Sequence, residues 1–177
     1  MGPGARKVAL TVHVVCSVGW LGAVAAFLAM AIAGPTTEDT RVVRGAYLMM
    51  DVLIWRVIVP LCGASLATGL VSSLGTPWGL FRHHWVLAKL FLNVFATVIL
   101  LLYTQTVGYL AGVAASPTWA PADVALLQSP TAVLHACGAL VLLLVAATLA
   151  VFKPQGLTRY GARRLLERRT PQAGESD

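Results

Sequence analysis

The sequence contains 177 residues, of which 58% are apolar and 11% are charged. A soluble globular domain carries charge on roughly a quarter of its residues, so this composition excludes an ordinary soluble domain. The formal net charge is +6, but many of the basic residues are concentrated directly after the last apolar stretch, where lipid headgroups lie. The sequence therefore indicates a membrane protein and no nucleic-acid partner.

Four long stretches contain no Asp, Glu, Lys or Arg: residues 8–37, 57–81, 90–122 and 124–152. A helix needs about 20 apolar residues to cross a hydrocarbon core about 30 Å thick, and each stretch is long enough. The first is also longer than the apolar region of a signal peptide, so we interpret it as an uncleaved span. The sequence therefore predicts an all-α membrane bundle of four transmembrane helices within one domain, residues 1–156. The predicted spans are residues 8–33, 49–74, 84–103 and 131–152.

Three connectors separate the predicted spans. The first, residues 36–45, follows a Gly-Pro pair and contains two acidic and two basic residues. Residues 75–79 read Gly-Thr-Pro-Trp-Gly, which predicts a tight turn. The third connector, residues 104–130, is longer and contains prolines at 117, 121 and 130.

Basic residues flank the predicted spans mainly on one side, which predicts that both termini are cytoplasmic. The setting that fits is the plasma (inner) membrane of a bacterium. The basic tail, residues 157–177, is expected to contact anionic headgroups, with a short amphipathic helix in its first part and disorder from residue 171. The basic residues on this side are Arg6, Lys7, Arg82, Lys89 and those of the tail.

Several polar side chains fall inside the predicted spans: Asp51, Arg56, Lys89, Asn93 and His135. An ionisable group inside a bilayer costs about 3 kcal/mol on insertion scales, so it usually faces the bundle interior or water. Arg56 either marks such a site or extends its guanidinium to the membrane surface. Lys89 and Asn93 belong to a stripe with Trp85 and Thr97, which predicts contacts with neighbouring helices. Asp51 and His135 are expected near the outer face.

Histidines offer one candidate cofactor site. Two neutral imidazoles on facing helices are the ligands of haem b in membrane bundles, and His13 and His84 are the best pair for this role. Copper is an alternative, because His13 and Cys16 lie one helical turn apart and Cu(I) binds sulfur and imidazole. The Met49-Met50 pair offers thioether sulfur. The sequence has no His-rich tract and no CxxC motif, so it assigns no metal site.

Three segments carry a family resemblance: LTVH (10–13) with GWLG (19–22), GTPWGLFRHHW (75–85), and KPQGLTRYG (153–161). They resemble a family of bacterial, actinobacterial-like integral membrane proteins of unknown function, over most of the chain up to about residue 164. That family is distantly similar to the copper-resistance D-type membrane proteins, which are larger and have more spans. The resemblance implies an architecture and no activity.

No catalytic motif accompanies these features: the sequence has no phosphate-binding glycine loop, no HExxH and no serine nucleophile with matching His and carboxylate. We therefore expect a non-enzymatic accessory or assembly subunit that binds a membrane partner or a second copy of itself. The alternative is an electron-transfer or sensing protein that holds one haem b between the first and third spans.

Overall fold

Long helices account for most of the structure, as the four charge-free stretches predict. The computed structural model describes residues 2–75, 80–154 and 156–169. Within them, four helical segments are long and apolar enough to cross a membrane: Pro3–Thr36, Thr40–Leu74, His84–Ala115 and Pro121–Phe152. The predicted all-α bundle of four transmembrane helices is therefore confirmed, and the protein is a multi-pass membrane protein.

Breaks divide two of the four segments into smaller elements. The second segment contains a π-helical turn, and the fourth is interrupted before residue 131. A further helix lies in the basic tail, where the sequence predicts one. In chain order the elements are α1 (Pro3–Thr36), α2 (Thr40–Leu53), the π-helical turn (Ile54–Ile58), α3 (Val59–Leu74), α4 (His84–Ala115), α5 (Pro121–Leu127), α6 (Thr131–Phe152) and α7 (Arg159–Arg169).

Three helical segments extend beyond the predicted spans, and the first of them is α1, which adds five residues at its start and three at its end. The second segment already begins at Thr40, where the carboxylate of Asp39 accepts a hydrogen bond of 2.9 Å from the Arg41 amide and caps the helix. Helix α4 continues through the predicted third connector to Ala115, because no proline interrupts it before residue 117. The predicted turn at 75–79 lies, apart from Gly75, outside the described residues, as do residues 170–177.

The four segments form an antiparallel ring. Helix α1 packs against α3, α2 and α6, while α4 packs against α2 and α6. His13 of α1 lies beside Ser65, whereas Gly34 at the other end of α1 lies beside Tyr47. The chain therefore has a terminal end, which holds the start of α1 and the end of α6, and a connector end, which holds residues 37–39 and 116–130.

The π-helical turn keeps one face of the second segment directed inward. Met50, Ile54, Ile58 and Cys62 are all at most 2% exposed and recur at intervals of four residues. In a regular α-helix, three such intervals rotate the face by about 120°. A π turn contains one extra residue, which offsets about 100° of that rotation. The opposite side of the turn, including Arg56, therefore faces outward.

Backbone pairing closes the terminal end of the bundle. The Thr158 amide donates to the Arg82 carbonyl at 3.0 Å, and the His84 amide donates to the Gly156 carbonyl at 3.3 Å. Gly161 lies so close that a Cβ at this position would be 2.4 Å from the Arg82 carbonyl oxygen. The start of α7 is therefore docked against the segment that precedes α4.

Candidate functional site

A polar cluster lies inside the bundle in the half nearer the terminal end, centred on His13. His13 is 9% exposed, and its Nδ1 lies 3.0 Å from the Ser65 carbonyl oxygen and 3.2 Å from the Thr68 hydroxyl. A carbonyl only accepts, so Nδ1 carries a proton and donates it to Ser65. In the neutral ring Nε2 is then an acceptor, and it lies 3.4 Å from Nζ of Lys89. His13 thus joins α1 to both α3 and α4.

Further side chains extend this cluster between helices. The Ser17 and Ser65 hydroxyls are 2.8 Å apart, and the Cys62 thiol lies 3.1 Å from the Thr97 hydroxyl. Lys89 and Thr97 of the predicted stripe therefore contact neighbouring helices. Asn93 instead donates to the Lys89 carbonyl of its own helix at 2.8 Å. These bonds satisfy most of the cluster's polar groups within the bundle and fix the register of α1, α3 and α4.

The geometry around His13 does not favour a haem between His13 and His84. Both ring nitrogens of His13 already contact protein groups, and a Cβ added at Gly69 would lie 3.1 Å from the ring. His84 is exposed at the start of α4, beside Gly156. It precedes Lys89 by five residues, which places it about 140° away around the helix. The two-histidine haem site stays a prediction. The occupied nitrogens of His13 and the position of His84 on another side of α4 do not favour it.

A copper site has no geometric support either. Among the described residues, no group of three or more His, Cys, Asp or Glu side chains is arranged to hold a metal ion. Cys16 is partly buried on α1, while Met49 is exposed and Met50 is buried, so the two thioethers face different directions.

Arg56 is a charged side chain exposed on the membrane-facing surface. It lies in the π-helical turn between the exposed residues Trp55 and Val57. In the part of the chain that the structure describes, it has no hydrogen bond or ion pair. Pro60 and Gly63, which the sequence places on the same face, are exposed as well. The face around Arg56 is therefore open to lipid or to another protein.

The depth of Arg56 in the membrane can be counted from the connector end of the bundle, where Arg44 indicates the level of the interface. There, Arg44 donates to the Ser116 carbonyl at 2.7 Å and lies 5.6 Å from the ring of Trp119, a combination typical of the membrane–water interface. Arg56 is twelve residues further along the same helical segment, about 18 Å deeper. In a hydrocarbon core about 30 Å thick, Arg56 lies close to the middle. This depth follows from taking Arg44 as the interface, and the position nearer the outer face that the sequence predicts stays a prediction.

Asp51 and His135 also differ from Arg56 in their surroundings. Asp51 is half-buried towards α4, where a Cβ on Gly108 would lie 3.7 Å from its carboxylate. His135 is exposed, and its ring stacks on Tyr103 with 3.9 Å between centroids. Tyr103 is thirteen residues from Ser116, so His135 lies about 20 Å from the level of Ser116 along α4, and its expected place near the outer face stays a prediction.

Two features of the bundle escape sequence reasoning. Ser65 and Thr68 supply the acceptors of His13, yet hydroxyls at helical spacing also occur wherever helices pack. Tyr103 resembles a packing residue in an apolar run, although its hydroxyl is buried without a hydrogen-bond partner. Only the distances between helices distinguish these residues from their neighbours.

Comparisons with known proteins do not assign this chain to a family. No family model, curated protein or solved structure matches this chain. The family resemblance in the sequence therefore stays a prediction, and function has to be argued from the bundle itself.

Proposed function

We propose that this protein is a non-enzymatic assembly subunit in the plasma membrane of a bacterium. In this proposal the face around Arg56 binds a transmembrane helix of another protein, and a carboxylate on that helix pairs with the guanidinium. The observation that carries the proposal is the exposure of Arg56 within the second membrane-crossing segment, without a partner in the described chain.

The energetic argument is that an exposed charge at this depth needs compensation. Insertion scales assign about 3 kcal/mol to an arginine at the centre of a helix, and simulations assign more. A side chain reduces this cost by reaching the interface, but Arg56 lies about 18 Å below the level of Arg44, further than an arginine side chain extends. An acidic residue on a partner helix can compensate the charge of the guanidinium at the depth of Arg56 itself. Ion pairing therefore supports a protein partner over lipid.

The shape of the surface supports a helix as the partner. Pro60 and Gly63 follow Arg56 on the same exposed face, and a Cβ added at Gly63 would meet no atom within 4 Å. Small residues allow two helices to approach closely, and van der Waals packing then contributes to association in lipid. π turns also occur frequently at functional sites of helices.

A second copy of this chain is a poorer partner than a different protein. Among the described residues, Asp51 is the one carboxylate within the membrane-crossing part of the helices, and it is half-buried towards Gly108. Glu38, Asp39 and Asp123 lie at the connector end, and Glu167 belongs to α7 after the last membrane-crossing helix. A symmetric dimer therefore offers no exposed carboxylate at the depth of Arg56.

The proposed orientation places both termini in the cytoplasm. In this orientation the exposed Arg159, Arg163 and Arg164 of α7 face the anionic headgroups of the inner leaflet. The docking of α7 at Gly161 holds these arginines beside the membrane end of the bundle.

Site-specific photo-cross-linking in native membranes tests the proposal. A photoreactive phenylalanine analogue at Gly63 reports on the Arg56 face, and the same analogue at Leu102 is the matched control. Leu102 is 65% exposed and lies on α4 at nearly the depth of Arg56. We expect a protein adduct of defined mass from position 63, its loss in Arg56→Leu, and lipid adducts alone from position 102.

Three results would contradict the proposal. Lipid adducts alone from position 63, or a protein adduct whose yield is unchanged in Arg56→Leu, would remove the role of the guanidinium. An adduct of twice the mass of this chain would show self-association in place of a different partner. Since Arg56 has no partner in the described chain, Arg56→Leu should leave the thermal stability of the purified protein unchanged, which separates loss of assembly from misfolding.

A further inference from the structure

A surface depression of about 380 Å³ lies on α2 at the connector end of the bundle. The residues that line this α2 depression are Thr40, Arg41, Arg44, Gly45 and Leu48. Their spacing places them on one face of the helix, within about two turns. A Cβ added at Gly45 would meet no atom within 4 Å. The α2 depression is therefore open space beside two arginines.

The guanidinium of Arg44 is held in place by the protein. One of its N–H groups donates to the Ser116 carbonyl at 2.7 Å, and its Cζ lies 5.6 Å from the centre of the Trp119 ring. A guanidinium has several N–H donors, so this carbonyl leaves the others available to a ligand. Because the position of Arg44 is fixed before a ligand arrives, binding an anion here costs little further ordering of the side chain.

Within the described residues, no carboxylate forms an ion pair with either arginine. Glu38 and Asp39 precede α2 and lie on the side away from its membrane-crossing part. The Asp39 carboxylate accepts from the Arg41 amide at 2.9 Å and caps the helix, so it serves the backbone. Arg41 and Arg44 therefore present two positive charges, about one helical turn apart, to the same open space.

Exposed apolar residues continue this face of α2 towards the interior of the membrane. Leu48 and Val52 follow Arg44 at intervals of four residues, about 6 Å each along the helix axis, and are 39% and 49% exposed. The face thus changes from cationic to apolar in the direction in which a lipid changes from headgroup to acyl chain. A molecule that covers the whole face has an anionic head and an apolar chain.

We propose that the α2 depression binds an anionic phospholipid from the leaflet at the connector end. Its phosphate accepts hydrogen bonds from Arg41 and Arg44, and an acyl chain lies along Leu48 and Val52. Arginine binds phosphate through parallel N–H···O bonds, and basic pockets beside transmembrane helices bind lipid headgroups. A zwitterionic headgroup would bring an ammonium beside the guanidiniums, which favours a lipid with net negative charge. This site lies in the leaflet opposite the one that faces α7.

Native mass spectrometry of the purified full-length protein in a nonionic detergent tests the proposal, because it counts bound lipids and measures their affinities. Two probes, dioleoyl phosphatidylglycerol and dioleoyl phosphatidylcholine, share their acyl chains and differ in net charge. The third probe is glycerophosphoglycerol, the headgroup without chains. We expect phosphatidylglycerol to bind about tenfold more tightly than phosphatidylcholine, and glycerophosphoglycerol at an equal concentration to leave it bound.

Two pairs of variants locate the site, since the basic tail also attracts anionic lipids. Arg41→Gln should weaken the binding of one phosphatidylglycerol about fivefold, the contribution of one basic residue at a headgroup. Arg6→Gln removes the same charge at the terminal end and should leave this lipid bound as before. Gly45→Phe fills the α2 depression without a change of charge and should weaken the binding about tenfold or more. Its control is Gly112→Phe, because Gly112 is exposed on α4 near the same end and has equally open space.

Folding and lipid binding are distinguishable in these variants. The Arg41 side chain is exposed and forms no hydrogen bond or ion pair within the described chain, so Arg41→Gln should leave the melting temperature of the lipid-free protein unchanged. Equal affinities for the two dioleoyl lipids, or equal effects of Gly45→Phe and Gly112→Phe, would overturn the proposal. Displacement of phosphatidylglycerol by an equal concentration of glycerophosphoglycerol would show a site for free phosphate esters and would overturn it as well.

Discussion

Nζ of Lys89 lies 3.4 Å from Nε2 of the buried His13, so the third transmembrane helix is tied to the first through a lysine and an imidazole. A carboxylate often pairs with a buried lysine, but the acidic residues that precede α7 lie in the other half of the bundle. The imidazole accepts from the ammonium only because its other nitrogen donates to the Ser65 carbonyl. The Ser65 carbonyl of α3 thus determines which tautomer His13 adopts, and this tautomer leaves Nε2 free to accept from Lys89 of α4.

This relationship predicts strong coupling between the two side chains. His13→Leu leaves the Lys89 ammonium without its acceptor, and we expect a loss of about 1–3 kcal/mol in the free energy of unfolding. The double variant His13→Leu/Lys89→Leu removes both partners, so it should be more stable than the sum of the single changes predicts, by at least about 1 kcal/mol. Unfolding in mixed micelles with increasing SDS measures all three variants.

Thr11→Ala is the control for this cycle, because its hydroxyl bonds only to the Lys7 carbonyl of the same helix and is exposed. It should change stability little. Additive effects of His13→Leu and Lys89→Leu would contradict the coupling and would mean that the two side chains act independently.

The sequence predicts the number of spans well, because exclusion of charge from hydrocarbon is a property of each stretch alone. It also predicts that Arg56, Pro60 and Gly63 share a face, since helical spacing fixes that relation. Whether the face points inward depends on packing. The π-helical turn sets this direction for Arg56, and a π turn has no reliable signature in a single sequence.

The candidate sites depend on which residues of different helices contact each other. The spacing of residues within one helix does not predict these contacts. The sequence pairs His13 with His84 by similar depth, yet the structure brings His13 to Lys89, about one and a half turns further along the same helix. The α2 depression is another example, because the Ser116 carbonyl and the Trp119 ring that hold Arg44 come from the connector after α4.

A close backbone approach makes Gly161 more sensitive to substitution than Gly156, the other glycine described in the tail region. A Cβ there would lie 2.4 Å from the Arg82 carbonyl oxygen, so Gly161→Ala should displace α7 from the bundle. Limited trypsin digestion should then cleave after Arg163 or Arg164 several times faster. Gly156→Ala is the control, because its Cβ would make an ordinary contact of 3.7 Å with His84. Equal cleavage rates in both variants would show that α7 is not held at this contact.

Orientation is testable with reporter fusions. The basic flanks predict that the terminal end is cytoplasmic. A reporter that is active only in the periplasm should be silent when fused after Arg169 and active when inserted after Thr118, in the exposed connector between α4 and α5. The reverse pattern would invert the membrane orientation and move the arginines of α7 to the outer leaflet, where the anionic-headgroup argument no longer applies.

The absorption spectrum of the purified protein tests the haem alternative. Binding a haem through His13 requires its ring to leave Ser65 or Lys89, and His84 lies on a different side of α4 from Lys89. We therefore expect no α band in the reduced-minus-oxidised spectrum, even after expression with added haem. A band that disappears in His13→Ala and in His84→Ala, but persists in His135→Ala, would establish the two-histidine site. It would also show that α1 and α4 rearrange in the terminal half of the bundle, because the packing of His13 against Gly69 leaves no space for a porphyrin.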